Sequence, residues 1–317
     1  MSKLAFIFPG QGSQTVGMGK ALYEASPEAR AVFDAADEAL GEKLSQLCFE
    51  GPDEALKLTA NTQPAILTVS VAAHAAFTAA AGAKGLKLEP AFVAGHSLGE
   101  YSALVAAGAL SLADAVRSVR ARGQFMQEAV PAGVGAMAAV LGMAPEQVKA
   151  LCDQSAQGEV VSPANYNSPE QTVIAGHAAA VARASDAIKA AGAKRVMPLP
   201  VSAPFHCALM EPVKPRLGEV LGKVTVKAPA VPVVSNVEAQ PNADALRIVP
   251  LLLEQVTASV RWIECVEALK AQGVTRVVEL GPGKVLCGLV KRITKDIECF
   301  NVEDAASLEK TLAALSA

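Results

Sequence analysis

Residues 4–8 (LAFIF) form an unbroken apolar run that stops at PGQGSQ. Such a run, closed by turn residues, predicts a strand buried on both faces, as in parallel sheets covered by helices. Residues 91–95 (AFVAG) repeat the pattern and lead into EYSALVAAGAL, whose Ala and Leu content favours a helix. A third strand, RVVELGPG at 276–283, ends in a Gly-Pro-Gly turn before the amphipathic KVLCGLVKRI. The middle of the chain differs. GAMAAVLG (135–142) reads as a strand and APEQVKALCDQSA (144–156) as a helix. EVVSPANYN and QTVIAG read as two strands, HAAAVARASDAIKAAG (177–192) as a helix and RVMPLPVS (195–202) as extended chain.

That order is β-α-β-β-α-β, the ferredoxin-like pattern. The expected fold is therefore α/β: a parallel-sheet, α/β-hydrolase-like large domain from residues 1–131 and 202–317, interrupted by a ferredoxin-like subdomain at 132–201. The uncharged stretch 66–83 approaches the length of a membrane span. Its Ala content and its interruptions at Thr68, Ser70, His74 and Thr78 favour a buried helix instead, so no membrane association is expected.

A length of 317 residues allows a large core, and with 51% hydrophobic but only 4% aromatic residues it must be built from Ala, Val and Leu. Net charge is −3, without long runs of one sign, which argues against a nucleic-acid surface. Six scattered cysteines lack metal-ligand spacing and point to free thiols in a reducing, cytoplasmic setting. The first apolar run is too short for a signal peptide, so export is not expected.

Between the second strand and its helix stands Gly95-His96-Ser97-Leu98-Gly99, of the form G-x-S-x-G. A serine on such a turn projects from a tight bend, and the amide of Leu98 at the helix start is available to a developing oxyanion. Ser97 needs a base. His74 lies on the Ala-rich helix, His96 points away from its neighbour on the turn, and His177 opens a helix of the insert; each reads as structural. His206, in a loop where the chain re-enters the large domain, is the best base. No acid stands out to orient it, and the long tail after His206 departs from the hydrolase order of serine, acid and late histidine. Glu100 also occupies a position where such hydrolases carry a small residue. A dyad whose imidazole is oriented by a backbone carbonyl fits better than a triad. GQGSQT has the look of a dinucleotide-binding turn, but Thr15 stands where the third glycine belongs.

On helix 112–126, Leu112, Val116, Val119, Gly123 and Met126 form the core face. Arg120 and Arg122 fall on its two flanks and Arg117 points away, so periodicity leaves the two flanking arginines tied as candidate anion ligands.

FPGQGSQ (8–14), GHSLGEYSAL (95–104), RGQFMQEAVPAGVGAM (122–137), NYNSPEQTVIAG (165–176), FHCALM (205–210) and GPGKVLCGLVKRI (281–293) occur in the order found in malonyl-CoA:acyl carrier protein transacylases. The chain resembles that family over essentially its whole length. The resemblance implies transfer of malonyl from coenzyme A to a serine and then to the phosphopantetheine thiol of holo acyl carrier protein, without metal or separate cofactor. It makes Ser97 the nucleophile and His206 the base, with the backbone amides of Gln11 and Leu98 as oxyanion hole and the carbonyl of Gln255 orienting the histidine. Its Arg-Gly-x-x-Met-Gln pattern selects Arg122 as ligand of the malonyl carboxylate. Phe205, where many stand-alone members carry Ser, implies crowding of a methyl branch and hence malonyl over methylmalonyl. Lys284 and Arg195 are candidates for docking the acidic carrier. The alternatives are a serine thioesterase, which releases free acid, and a silent docking module, which forms no adduct.

Overall fold

The computed structural model describes residues 3–201 and 203–316. The expected domain boundary at 202 and the chain ends at 1 and 317 lie outside them. The strands are β1 (Lys3–Phe8), β2 (Phe92–Gly95), β3 (Gly135–Leu141), β4 (Val161–Ser168), β5 (Gln171–His177), β6 (Arg195–Pro198), β7 (Val233–Val234), β8 (Pro241–Asn242), β9 (Val274–Leu280) and β10 (Glu298–Val302).

Among the described residues, six strands form one sheet in the order β10-β9-β1-β2-β7-β8, parallel except for the terminal β7-β8 pair. The apolar run of β1 has its explanation here. Leu4, Phe6 and Phe8 enter the core on one face, while Ala5 and Ile7 meet Trp262, Val266 and Leu286 on the other. Helix Thr59–Ala83 is long and apolar enough to span a membrane by composition alone, but 67% of its most apolar window is buried in the protein. It packs between helices Pro27–Leu40 and Leu112–Glu128 as a core helix, as the sequence predicts.

The remaining strands form an antiparallel sheet in the order β4-β5-β3-β6. Helices Pro145–Ser155 and Ala178–Ala190 pack on it, with Val140, Val148, Ile174, Val181 and Ile188 in a separate core. This is the ferredoxin-like arrangement expected of the insert. It is pinned to the larger unit beside the strand ends: the Val260 amide donates to Ala164 O (2.8 Å), and the Tyr166 amide donates to Val260 O (2.9 Å).

The turn after β2 depends on two glycines. A Cβ on Gly95 would stand 1.9 Å from Gly99 O, and one on Gly99 would stand 2.2 Å from Phe8 O. Only hydrogen at both positions lets helix Gly99–Ala106 begin hard against the end of β1.

Candidate active site

Ser97 leaves that turn with φ 52°, in the left-handed region that costs a non-glycine residue about 1–3 kcal/mol. One side chain holds it there. Asn236, which follows β7, accepts from the Ser97 amide at 2.7 Å and donates to Gly95 O at 2.7 Å. His206 is likewise left-handed, with φ 57°. Its Nε2 lies 2.7 Å from Ser97 Oγ and its Nδ1 lies 2.8 Å from the main-chain oxygen of Gln255. A carbonyl only accepts, so Nδ1 carries the hydrogen and the Nε2 lone pair faces the serine hydroxyl. Burial, and after it the positive charge of Arg122, pushes the ring down to about 3. The imidazole is therefore neutral near pH 7, and among the described residues no hydrogen bond joins it to a carboxylate.

The tie between the two arginines is broken by position. Arg120 pairs with Glu42 and Asn61 toward the surface. Arg122 is 1% exposed, on the buried face of its helix rather than on a flank. Its Nη2 donates to Ser97 Oγ at 3.1 Å and to Gln255 Oε1 at 2.9 Å, and its Nη1 donates to Gln63 Oε1 at 2.8 Å. Arg117 bonds Asp114 on the exposed side.

Ser97, His206, Arg122 and Gln63 line an inner cavity of about 110 Å³ together with Gln11, Met126, Met137 and Phe205. It shares Gln11, His96, Asn165, Leu199 and Val201 with an outer cavity of about 600 Å³. The outer volume suits a cofactor-sized ligand and the inner one a short acyl group. Among the described residues, neither the Gln11 amide nor the Leu98 amide has an acceptor within the protein. Both are therefore free to donate to a ligand oxygen.

The profile of the acyl transferase domain family matches residues 5–310. A malonyl CoA-acyl carrier protein transacylase of Bacillus subtilis is 51% identical over 316 residues, covering 99% of this chain and 98% of the relative. The chain belongs to the malonyl CoA-acyl carrier protein transacylase family. Among solved structures, the acyl carrier protein S-malonyltransferase of Vibrio cholerae superposes with a TM-score of 0.93 at 49% identity, covering 98% of this chain and all of that one. A malonyl-transacylase in complex with a holo type II polyketide acyl carrier protein superposes with a TM-score of 0.94 at 47% identity, covering 99% and 100%.

In this family member the structure brings together Ser97, His206, Arg122, Gln255, Gln11 and Phe205, all singled out in the sequence. Lys284 lines the outer cavity beside Lys57 and Arg292, whereas Arg195 starts the edge strand β6 and lines neither cavity. His96 donates from Nε2 to Asn167 Oδ1 at 2.8 Å, tying the serine turn to β4. His74 meets the rings of Phe6 and Phe8, and His177 Nδ1 accepts from the Val160 amide at 2.9 Å. Sequence reasoning missed Asn236, Gln63 and the side chain of Gln255. Gln63 left a faint signal as a polar residue inside a helix rich in Ala; the other two left none.

Proposed function

We infer that this chain transfers malonyl from malonyl-CoA to the phosphopantetheine thiol of holo acyl carrier protein, through a malonyl ester on Ser97. The observation that carries this reading is Arg122, a buried guanidinium bonded only to neutral partners and 3.1 Å from Ser97 Oγ. A cation held beside the acylation point suits an acyl group that ends in a carboxylate. His206 Nε2 takes the Ser97 proton as Oγ attacks the thioester carbonyl. The amides of Gln11 and Leu98 receive the oxyanion, and the proton passes from His206 to the departing coenzyme A sulfur. The carrier thiol then gives its proton to His206 and attacks the ester, and Ser97 recovers a proton as it leaves.

Nothing in these steps calls for a metal or a separate cofactor. Phe205 in the wall of the inner cavity favours malonyl over a branched acyl group. Lys284 and Arg292 at the outer cavity suit the phosphates of the donor and an acidic carrier better than Arg195 does. Transfer serves fatty-acid synthesis, and the free thiols at all six cysteines accord with the cytoplasm.

The test is mass spectrometry of the protein mixed with malonyl-CoA, followed by addition of holo carrier. A malonyl adduct on Ser97 that moves to the carrier is expected. Release as free malonate would instead identify a hydrolase, and a protein with no adduct at all would be a docking module.

A further inference from the structure

Glu100 has no part in the steps above, yet its carboxylate is bonded to two residues that hold the reacting groups. It lies in the first turn of helix Gly99–Ala106 and is 3% exposed. Its Oε2 accepts from Gln255 Nε2 at 2.8 Å and from the Asn236 amide at 2.9 Å. Through these two bonds it reaches the Ser97 turn, His206 and Arg122.

Gln255 is the hub. Its main-chain oxygen accepts from His206 Nδ1, its Oε1 accepts from Arg122 Nη2, and its Nε2 donates to Glu100 and, at 3.1 Å, to Ser97 O. The two ends of a side-chain amide are nearly the same size, so partners rather than shape decide which way it faces. A guanidinium only donates and a carboxylate only accepts. One orientation satisfies both; the flipped one sets NH₂ against Arg122 and oxygen against Glu100 and Ser97 O. Asn236, whose amide nitrogen is held by the same carboxylate oxygen, clamps the Ser97 turn.

The position of Glu100 has a second effect. A carboxylate directly on Arg122 would occupy the donors that an acyl carboxylate needs. One amide away, Glu100 fixes the guanidinium through Gln255 and leaves it open to the ligand.

We propose that Glu100 is a positioning residue that determines specificity: as an acceptor it locks the Gln255 amide and so aims Arg122 at the carboxylate of the acyl group. The proposal rests on the transfer reading above. It assigns importance to the reach of the acceptor and not to its charge. Glu100→Gln can still present one oxygen to both donors, whereas Glu100→Asp keeps the charge but is one methylene too short.

The experiment measures kcat and KM for malonyl-CoA and acetyl-CoA, with holo carrier as acceptor, in the wild type, Glu100→Gln, Glu100→Asp, Gln255→Met and the Glu100→Asp/Gln255→Met double variant. Glu100→Gln keeps the malonyl-to-acetyl ratio of kcat/KM within about threefold. Glu100→Asp lowers that ratio by about tenfold or more, the scale of one charge-assisted hydrogen bond, chiefly through KM for malonyl-CoA. Gln255→Met lowers it similarly, and adding Glu100→Asp to it changes nothing further.

The proposal fails if Glu100→Asp leaves the ratio intact, if Glu100→Gln loses the preference while Glu100→Asp keeps it, or if both substrates fall equally. Should Glu100→Asp not fold, an unchanged ratio in Gln255→Met overturns the proposal by itself. A wild type that forms no malonyl-carrier product would refute the transfer reading, a result separate from any of these.

Discussion

The two sheets meet at the inner and outer cavities but contribute to the site differently. The parallel sheet and its helices bring Ser97, His206, Arg122, Gln255 and Glu100, a connected set of polar groups held by short bonds. The antiparallel sheet brings Met137, Asn165, Asn167, Val173 and the 199–201 segment: walls, with no ionised side chain. Reactive groups are fixed by the chain around β1 and β2, while the small sheet shapes the space in front of them. Substitutions on the two sides should therefore differ in kind as well as in size.

The largest effect is expected from the parallel-sheet side. Arg122→Ala should lower kcat/KM for malonyl transfer by about 10- to 100-fold, the scale of a charge-assisted bond worth about 1.5–3 kcal/mol, and lower acetyl transfer far less. Equal losses with the two acyl donors would remove the arginine from its role.

His206 gives a second contrast, through protonation. With its ring pushed down to about 3 from the ordinary 6.5, the folded state binds fewer protons than the unfolded chain between those values. The contribution of this ring to stability is complete above 6.5 and is lost as pH falls toward 3. Glu100, pushed up to about 7 from 4.5 by burial, acts in the opposite sense: its contribution is complete below 4.5 and is lost as pH rises toward 7. Nitrogen NMR should find His206 in the neutral Nδ1–H form at pH 5. A ring titrating near 6.5 would contradict the buried, carbonyl-bound geometry.

The smallest effect belongs to the antiparallel side. Asn167→Ala breaks the bond from His96 across the two sheets and should lower unfolding free energy by about 1 kcal/mol in a denaturant titration. Malonyl transfer should stay within about threefold of wild type. A loss as large as that of Arg122→Ala would mean that the small sheet takes part in the chemistry.

The fold was largely legible because its signals are local. The unbroken apolar run of β1 announces burial on both faces, and the insert declares itself through its six-element order. Ser97 was visible through the glycines its turn requires, and His206 through its place at the re-entry of the chain. Arg122 was not separable from Arg120 by periodicity, since a helical wheel assumes one buried stripe. Helix Leu112–Glu128 packs against four helices, Pro27–Leu40, Thr59–Ala83, Gly99–Ala106 and Val213–Leu221, which widens that stripe until Arg122 falls inside it. Asn236 was out of reach for another reason: no spacing links residue 236 to residue 97. Only the pairing of β2 with β7 sets them side by side.

Ser97 and His206 both sit in left-handed backbone, with φ of 52° and 57°. Each conformation stores energy of about 1–3 kcal/mol that the folded chain supplies in advance. The pair is thus assembled once, at folding, and not anew with each incoming thioester. Selection for heat resistance alone would gain by relaxing either residue and would slow the enzyme in doing so. Screens for hardier variants should therefore keep the Asn236 clamp and the Gly95 and Gly99 turn out of their libraries.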